Sequence, residues 1–179
     1  MGLQQEGLDA TTRRHMLDEF EYDLDRGELY NSQWFSPGGR EKYPDLCRTA
    51  LESGTDETLA SSLGAPGTFV LAYEKKKPKG GTTMASVPHT APVTFAEGEF
   101  NRFYLRGLCA RIVTEGGGEV EIYRARHSAN ARSASEALIG SKIDAAALLA
   151  DLRANVGVET ALGLPPGPNS GLSGRRVAP

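Results

Sequence analysis

Five arginines, Arg102, Arg106, Arg111, Arg124 and Arg126, are threaded through the largely apolar stretch Phe100–Arg126. A guanidinium carries five N–H donors in a rigid fork, so an arginine among core residues needs a carboxylate, a row of carbonyls or a phosphate to receive it. On a helical wheel Arg111 shares the apolar face of Phe100 and Tyr104, whereas Arg102 and Arg106, one turn apart, point to the other side. Arg111 is therefore expected to be a buried structural arginine, partnered by carboxylates of the first helix. Arg124, Arg126 and Arg132, together with Lys142, have the chemistry to clasp a phosphate or to pair with the acidic N-terminal half.

A second cationic group is of a different kind. Lys75, Lys76, Lys77 and Lys79 make the densest charge run in the chain, followed by Gly80-Gly81. Such a run is either a solvated loop tip or a contact for nucleic-acid phosphate or an acidic neighbouring subunit. Charge is polarised along the sequence: residues 1–63 hold 13 acidic and 6 basic side chains, residues 64–179 hold 10 and 14, and the net charge is −3. This polarity can steer head-to-tail contacts between copies. The Trp34-Phe35 pair, set in a loop before Pro37-Gly38-Gly39, is a lid over the core or an interface anchor.

Catalytic patterns are missing from the sequence. There is no GxSxG, no Gly-rich loop followed by Lys-Ser/Thr and no HExxH. His15, His89 and His127 are isolated, and no Cys/His spacing resembles a zinc site. Pro44-Asp45 and Glu119-Val120-Glu121 are faintly similar to a metal-dependent nuclease pattern but lack the following lysine. The acids Asp18, Glu19, Glu21, Asp23 and Asp25 spread around the outer face of the first helix instead of converging on a cation. No catalytic residue, metal or cofactor is expected. Cys47 and Cys109 lie on apolar helix faces and are expected to be buried free thiols in a reducing compartment.

The elements that must position these residues follow from period and punctuation. Met16, Leu17, Phe20 and Leu24 mark a helix over about 11–30. Pro37-Gly38-Gly39 breaks the chain, Pro44 opens a second helix closed by Gly54, and Thr55 or Asp56 caps a third, ended by Gly64. Residues 68–73 read as a strand, leading into an arm over 68–94 with three prolines and no helical period. A long helix from Thr94 or Glu97 to about Thr114, apolar nearly all round, is expected to be buried on most sides. A triple-glycine turn leads to a strand with Val120 and Ile122 on one face; Ser133 precedes a short helical segment, and Asp144 caps a further helix closed by Gly157. Pro and Gly recur so often over 161–179 that an extended tail without regular structure is expected. The fold class is α+β: an N-terminal helical cluster (1–64), then a core (65–179) in which a long central helix packs on a small β-sheet, with a basic arm and a C-terminal tail, all in one folding unit.

The segments EGEFNRFYLRGLCARIV, VEIYRARHSANARSASEALIG and ALGLPPGPNSGLS resemble parts of small uncharacterised proteins of bacterial and phage or prophage genomes. That resemblance implies a virion or particle component. The leading expectation is a non-enzymatic structural subunit of a phage-like or other large homo-oligomeric assembly, interlocked through its arms with further copies or other assembly proteins. The alternative is a small nucleic-acid-binding protein using Lys75–Lys79 and Arg124–Arg132; an enzyme acting on a phosphorylated substrate ranks third. No apolar run approaches the roughly 18 residues of a membrane span, and the N-terminus lacks a secretory pattern, with Glu6 where a myristoylation motif wants Ser or Thr. The expected location is the cytoplasm or a virion-like particle assembled there.

Overall fold

Helix α1 (Ala10–Arg26) starts where Asp9 accepts a hydrogen bond from the Thr12 amide, and stops at Gly27, whose left-handed backbone (φ 67°) ends it short of Tyr30. The structure is a computed structural model describing residues 2–127, 133–157 and 170–177. Helix α2 (Pro37–Ser53) begins earlier than the sequence suggested. Ser36 caps it by accepting from the Gly39 amide, Pro37 takes the first turn, and Pro44 is carried inside the helix. The Pro37-Gly38-Gly39 motif thus starts a helix where a break was expected. Ser36 donates its amide hydrogen to the Thr68 carbonyl (2.9 Å), so the chain at Thr68 lies against the helix start, and a Cβ at Gly39 would collide with that carbonyl. Helix α3 (Asp56–Leu63) carries a reciprocal cap in which Thr55 and Thr58 each accept the other's amide.

Strand β1 (Ala72–Lys76) lies later than expected because Thr68 and Phe69 turn inward; Phe69 bridges Phe35 and stacks near it at 4.9 Å. β1 pairs antiparallel with β2 (Thr82–Ser86), Lys76 facing Thr82 and Tyr73 facing Ala85. The arm read from sequence as irregular is therefore a β-hairpin turning at Gly80 and Gly81, both at positive φ. Helix α4 (Ala91–Thr114) then takes Pro92 into its first turn and runs through the centre of the molecule.

Gly116–Gly118 turn the chain into β3 (Glu119–Arg124). After α5 (Ser133–Glu136), β4 (Lys142–Asp144) pairs antiparallel with one side of β3, and Asp144 caps α6 (Ala145–Ala154). β5 (Leu172–Arg176) pairs antiparallel with the other side, giving the order β4-β3-β5. This corrects the reading of a tail without regular structure: the ladder to β3 satisfies its backbone, and Gly174 permits close packing, since a Cβ there would lie 2.8 Å from Leu105 Cδ2. Residues 161–169 and 178–179 of the expected tail lie outside the described residues.

The core unites both halves of the chain around α4. Phe20 of α1 meets Phe103 edge to face at 5.5 Å, Leu59 and Leu63 come from α3, Leu148 and Leu152 from α6, and Val120 and Ile122 from β3. α1 approaches closely at Gly107, where a Cβ would lie only 2.7 Å from the Met16 nitrogen. The fold is α+β with a long central helix.

Candidate functional site

Two arginines of α4 point into the interior, and they are not the expected one. Arg106 is fully buried; its Nε donates to Glu19 Oε2 (2.9 Å), while Nη1 and Nη2 donate to the two oxygens of Asp23 (2.7 and 2.8 Å). Arg102, one turn earlier, gives Nη1 to Asp23 (3.0 Å) and Nη2 to Glu99 (2.7 Å). Arg153 of α6 donates its Nε to Glu19 (2.9 Å). Three carboxylates and three guanidinium groups thus balance, and the network ties α1, α4 and α6 together. Burial alone would pull the Arg102 guanidinium down, but Glu99 beside it holds it raised, so it stays charged. The i, i+4 spacing of Glu19 and Asp23 against that of Arg102 and Arg106 is the signal that could have found this lock in the sequence.

Arg111 sits at the rim instead, its side chain 22% exposed, donating to Asp9 (2.7 Å) and Glu115 (2.9 Å). The wheel misplaced it because the interior of the molecule surrounds α4 along its middle, while Arg111 lies in the last turn. Its main partner, Asp9, is the cap of the first helix. The Asp9 carboxyl is held below its ordinary range by the Thr12 amide first and by Arg111 second.

The expected phosphate clasp is largely taken up by the fold. Arg126 donates a single nitrogen, Nη2, to both oxygens of Glu97 (2.9 and 2.8 Å), and Arg124 donates to the Ser170 carbonyl (3.2 Å) while its second terminal nitrogen is buried without a partner among the described residues. Arg132 lies outside the described residues. Phe35, one of the expected interface anchors, belongs to the core, packed against Tyr43, Phe69 and Phe95. Trp34 is half-buried with its ring 5.6 Å from Tyr73 of β1, so it braces the base of the hairpin.

That hairpin is the candidate site. Lys75, Lys76, Lys77 and Lys79 are all exposed, and none makes an ion pair among the described residues. The hairpin's own acid, Glu74, accepts from Thr82 Oγ1. Leu71 at its base is 92% exposed and Met84 on β2 is 67% exposed. Beyond Trp34, the hairpin is held at its base by Val70 donating to the Trp34 carbonyl (2.9 Å). An isolated two-stranded hairpin is marginal in water, and this one presents apolar and cationic side chains together.

Burial pushes the Cys47 thiol up to about 12 and the Cys109 thiol up to about 12, and both cysteines are free. Burial likewise raises the Tyr43 hydroxyl, which donates to Glu99 (3.4 Å). Among the described residues no three His, Cys, Asp or Glu side chains are grouped so as to hold a metal ion, and no helix is long and apolar enough to cross a membrane. Comparison with family models, curated proteins and solved structures finds no match.

Proposed function

We propose that the protein is a non-enzymatic structural subunit of a homo-oligomeric assembly, and that the β1–β2 hairpin is the arm that reaches a neighbouring copy. The observation that carries this reading is the hairpin itself: four exposed lysines with no ion pair among the described residues, beside exposed Leu71 and Met84, on an element that two strands alone support poorly. The charge polarity of the chain supplies the complement, because acidic side chains concentrate in residues 1–63. Asp18 and Asp25 of α1 are exposed on the opposite half of the sequence from the arm. The phage-like context rests on the sequence resemblance, and a particle built in the cytoplasm would suit it.

Nucleic-acid binding is the second reading, favoured by the density of the lysine run. Three features weigh against it. α3, which follows α2 after a tight turn and would be the element to enter a groove, opens with Asp56 and Glu57. Arg124 and Arg126, which would extend the basic surface, are engaged by the fold. The sequence pI is about 5.7. Sedimentation velocity and light scattering across a concentration series, with wild type and with all four lysines changed to Ser, test the choice. Assembly that is lost in the variant supports the proposal; a wild-type protein that stays a 19.2 kDa monomer at high concentration sinks it. Lysine-dependent nucleic-acid binding that survives physiological salt would put the second reading first.

A further inference from the structure

The two strands of the hairpin do not have equivalent edges. Val87 donates its amide hydrogen to the Leu71 carbonyl (3.0 Å) and Lys77 donates to Gly81 (2.9 Å), so the odd-numbered residues hold the β1–β2 ladder together. In an antiparallel pair the alternate residues turn their N–H and C=O groups to the far side. On β2 these are Thr82, Met84 and Ser86, all exposed, and among the described residues their backbone bonds to no further segment. β2 reads Thr82-Thr83-Met84-Ala85-Ser86, without a charge or a proline, and Met84 at its middle is 67% exposed. β1 differs. Just before it the chain is already paired, Thr68 with Ser36 and Val70 with Trp34 (both 2.9 Å), and the strand itself carries Glu74, Lys75 and Lys76. Charged residues, lysines above all, guard an edge strand against addition of another; β2 has no such guard.

We infer that the outer edge of β2 is a pairing edge, and that its occupant is β2 of a second copy, antiparallel about a two-fold axis at Met84. This register uses all five residues of the strand. Met84 stands opposite its own copy and Thr82 opposite Ser86, so every outward amide and carbonyl finds a partner and the exposed Met84 side chains cover each other. Two marginal ribbons become one four-stranded sheet in the order β1-β2-β2-β1. Charge selects this edge over the other. With strands about 4.8 Å apart the two β1 strands stand three spacings, about 14 Å, from each other, beyond the roughly 8 Å screening length at physiological salt. A β1–β1 pair centred on Glu74, Lys75 or Lys76 would instead set like charges directly opposite. The inference rests on the assembly reading above, because the occupant is a second copy. It supplies the isologous contact that makes a pair, and leaves the lysines, on the outer strands and at the turns, for the acidic surfaces of further copies.

Met84→Cys tests the register directly. Residues opposite each other in a hydrogen-bonded antiparallel pair have Cα atoms about 5.5 Å apart, within reach of a disulfide. Mild oxidation of the full chain should give a covalent dimer of Met84→Cys and none of Glu74→Cys on the guarded edge; the native Cys47 and Cys109 are buried. Met84→Pro removes the outward amide hydrogen at the axis while sparing the ladder to β1, and Met84→Lys sets two ammonium groups against each other there without altering the backbone. Each should raise the dimer dissociation constant at least about tenfold in sedimentation equilibrium. The four-lysine variant should lose the larger assembly and keep the Met84→Cys crosslink. Equal crosslinking from positions 74 and 84, or a Met84→Lys protein that pairs as tightly as wild type, would overturn the assignment. If wild type assembles but Met84→Cys forms no covalent dimer, the assembly reading stands and this edge is not its contact. If wild type stays monomeric and Met84→Cys gives no covalent dimer, both fall together.

Discussion

The cations of this chain divide into two populations with opposite treatment. Around α4, Arg102 and Arg106 are driven into the interior and each meets carboxylate; on the β1–β2 hairpin, lysines stand in solvent with no ion pair among the described residues. The side chains suit these fates. A planar, weakly hydrated guanidinium can give several bonds at once to Glu19, Asp23 and Glu99, whereas an ammonium is a compact, strongly hydrated charge that holds to water until a surface offers more. The Arg102–Arg106 network is a completed internal contact that fixes how α1, α4 and α6 meet. On the proposed reading, the hairpin is half of a contact.

The largest test of this contrast is Arg106→Met. It leaves buried Glu19 with Arg153 alone and buried Asp23 with Arg102 alone and should cost about 3–5 kcal/mol of unfolding free energy, read by chemical denaturation. Arg111→Met, on the same helix but at the rim, should cost no more than about 1 kcal/mol. Equal losses would erase the distinction between buried and rim arginines on α4.

Gly107→Ala probes the packing that the network clamps. The added Cβ would meet the Met16 backbone at 2.7 and 2.9 Å, and backbone cannot rotate away as a side-chain tip can, so α1 must shift from α4. A loss of about 1–3 kcal/mol is expected, and a neutral result would mean that the two helices tolerate separation.

Changing the four hairpin lysines to Ser should leave monomer stability within about 0.5 kcal/mol while assembly is lost. A large stability change would show that the hairpin supports its own chain and is not poised for another.

The smallest expected effect is on pH dependence. The folded Asp56 carboxyl titrates above its unfolded value, so its contribution favours the fold below the unfolded value and is lost as pH rises through the folded one. Asp56→Asn should therefore match wild type in acid and melt a degree or two higher near neutrality. Identical melting curves at both pH values would indicate that the unassembled protein already compensates that carboxylate.

Local signals in the sequence determined much of the architecture. The caps at Thr55 and Asp144, the glycine stops at Gly54 and Gly64, the triple-glycine turn and the alternation of Val120 and Ile122 all act within a few residues, and each marks an element of the structure. The buried, free state of Cys47 and Cys109 was also legible from the apolar faces they occupy. Long-range packing decided the rest. Whether Pro37 or Pro44 opened α2 depended on Thr68 lying across Gly39; whether residues 172–176 formed a strand depended on the free edge of β3; whether Arg106 or Arg111 was the interior arginine depended on where α1 and α6 close over α4. Caps and turns are settled by neighbours in the chain, but the partner of a buried charge or an unpaired edge is settled only when distant segments meet.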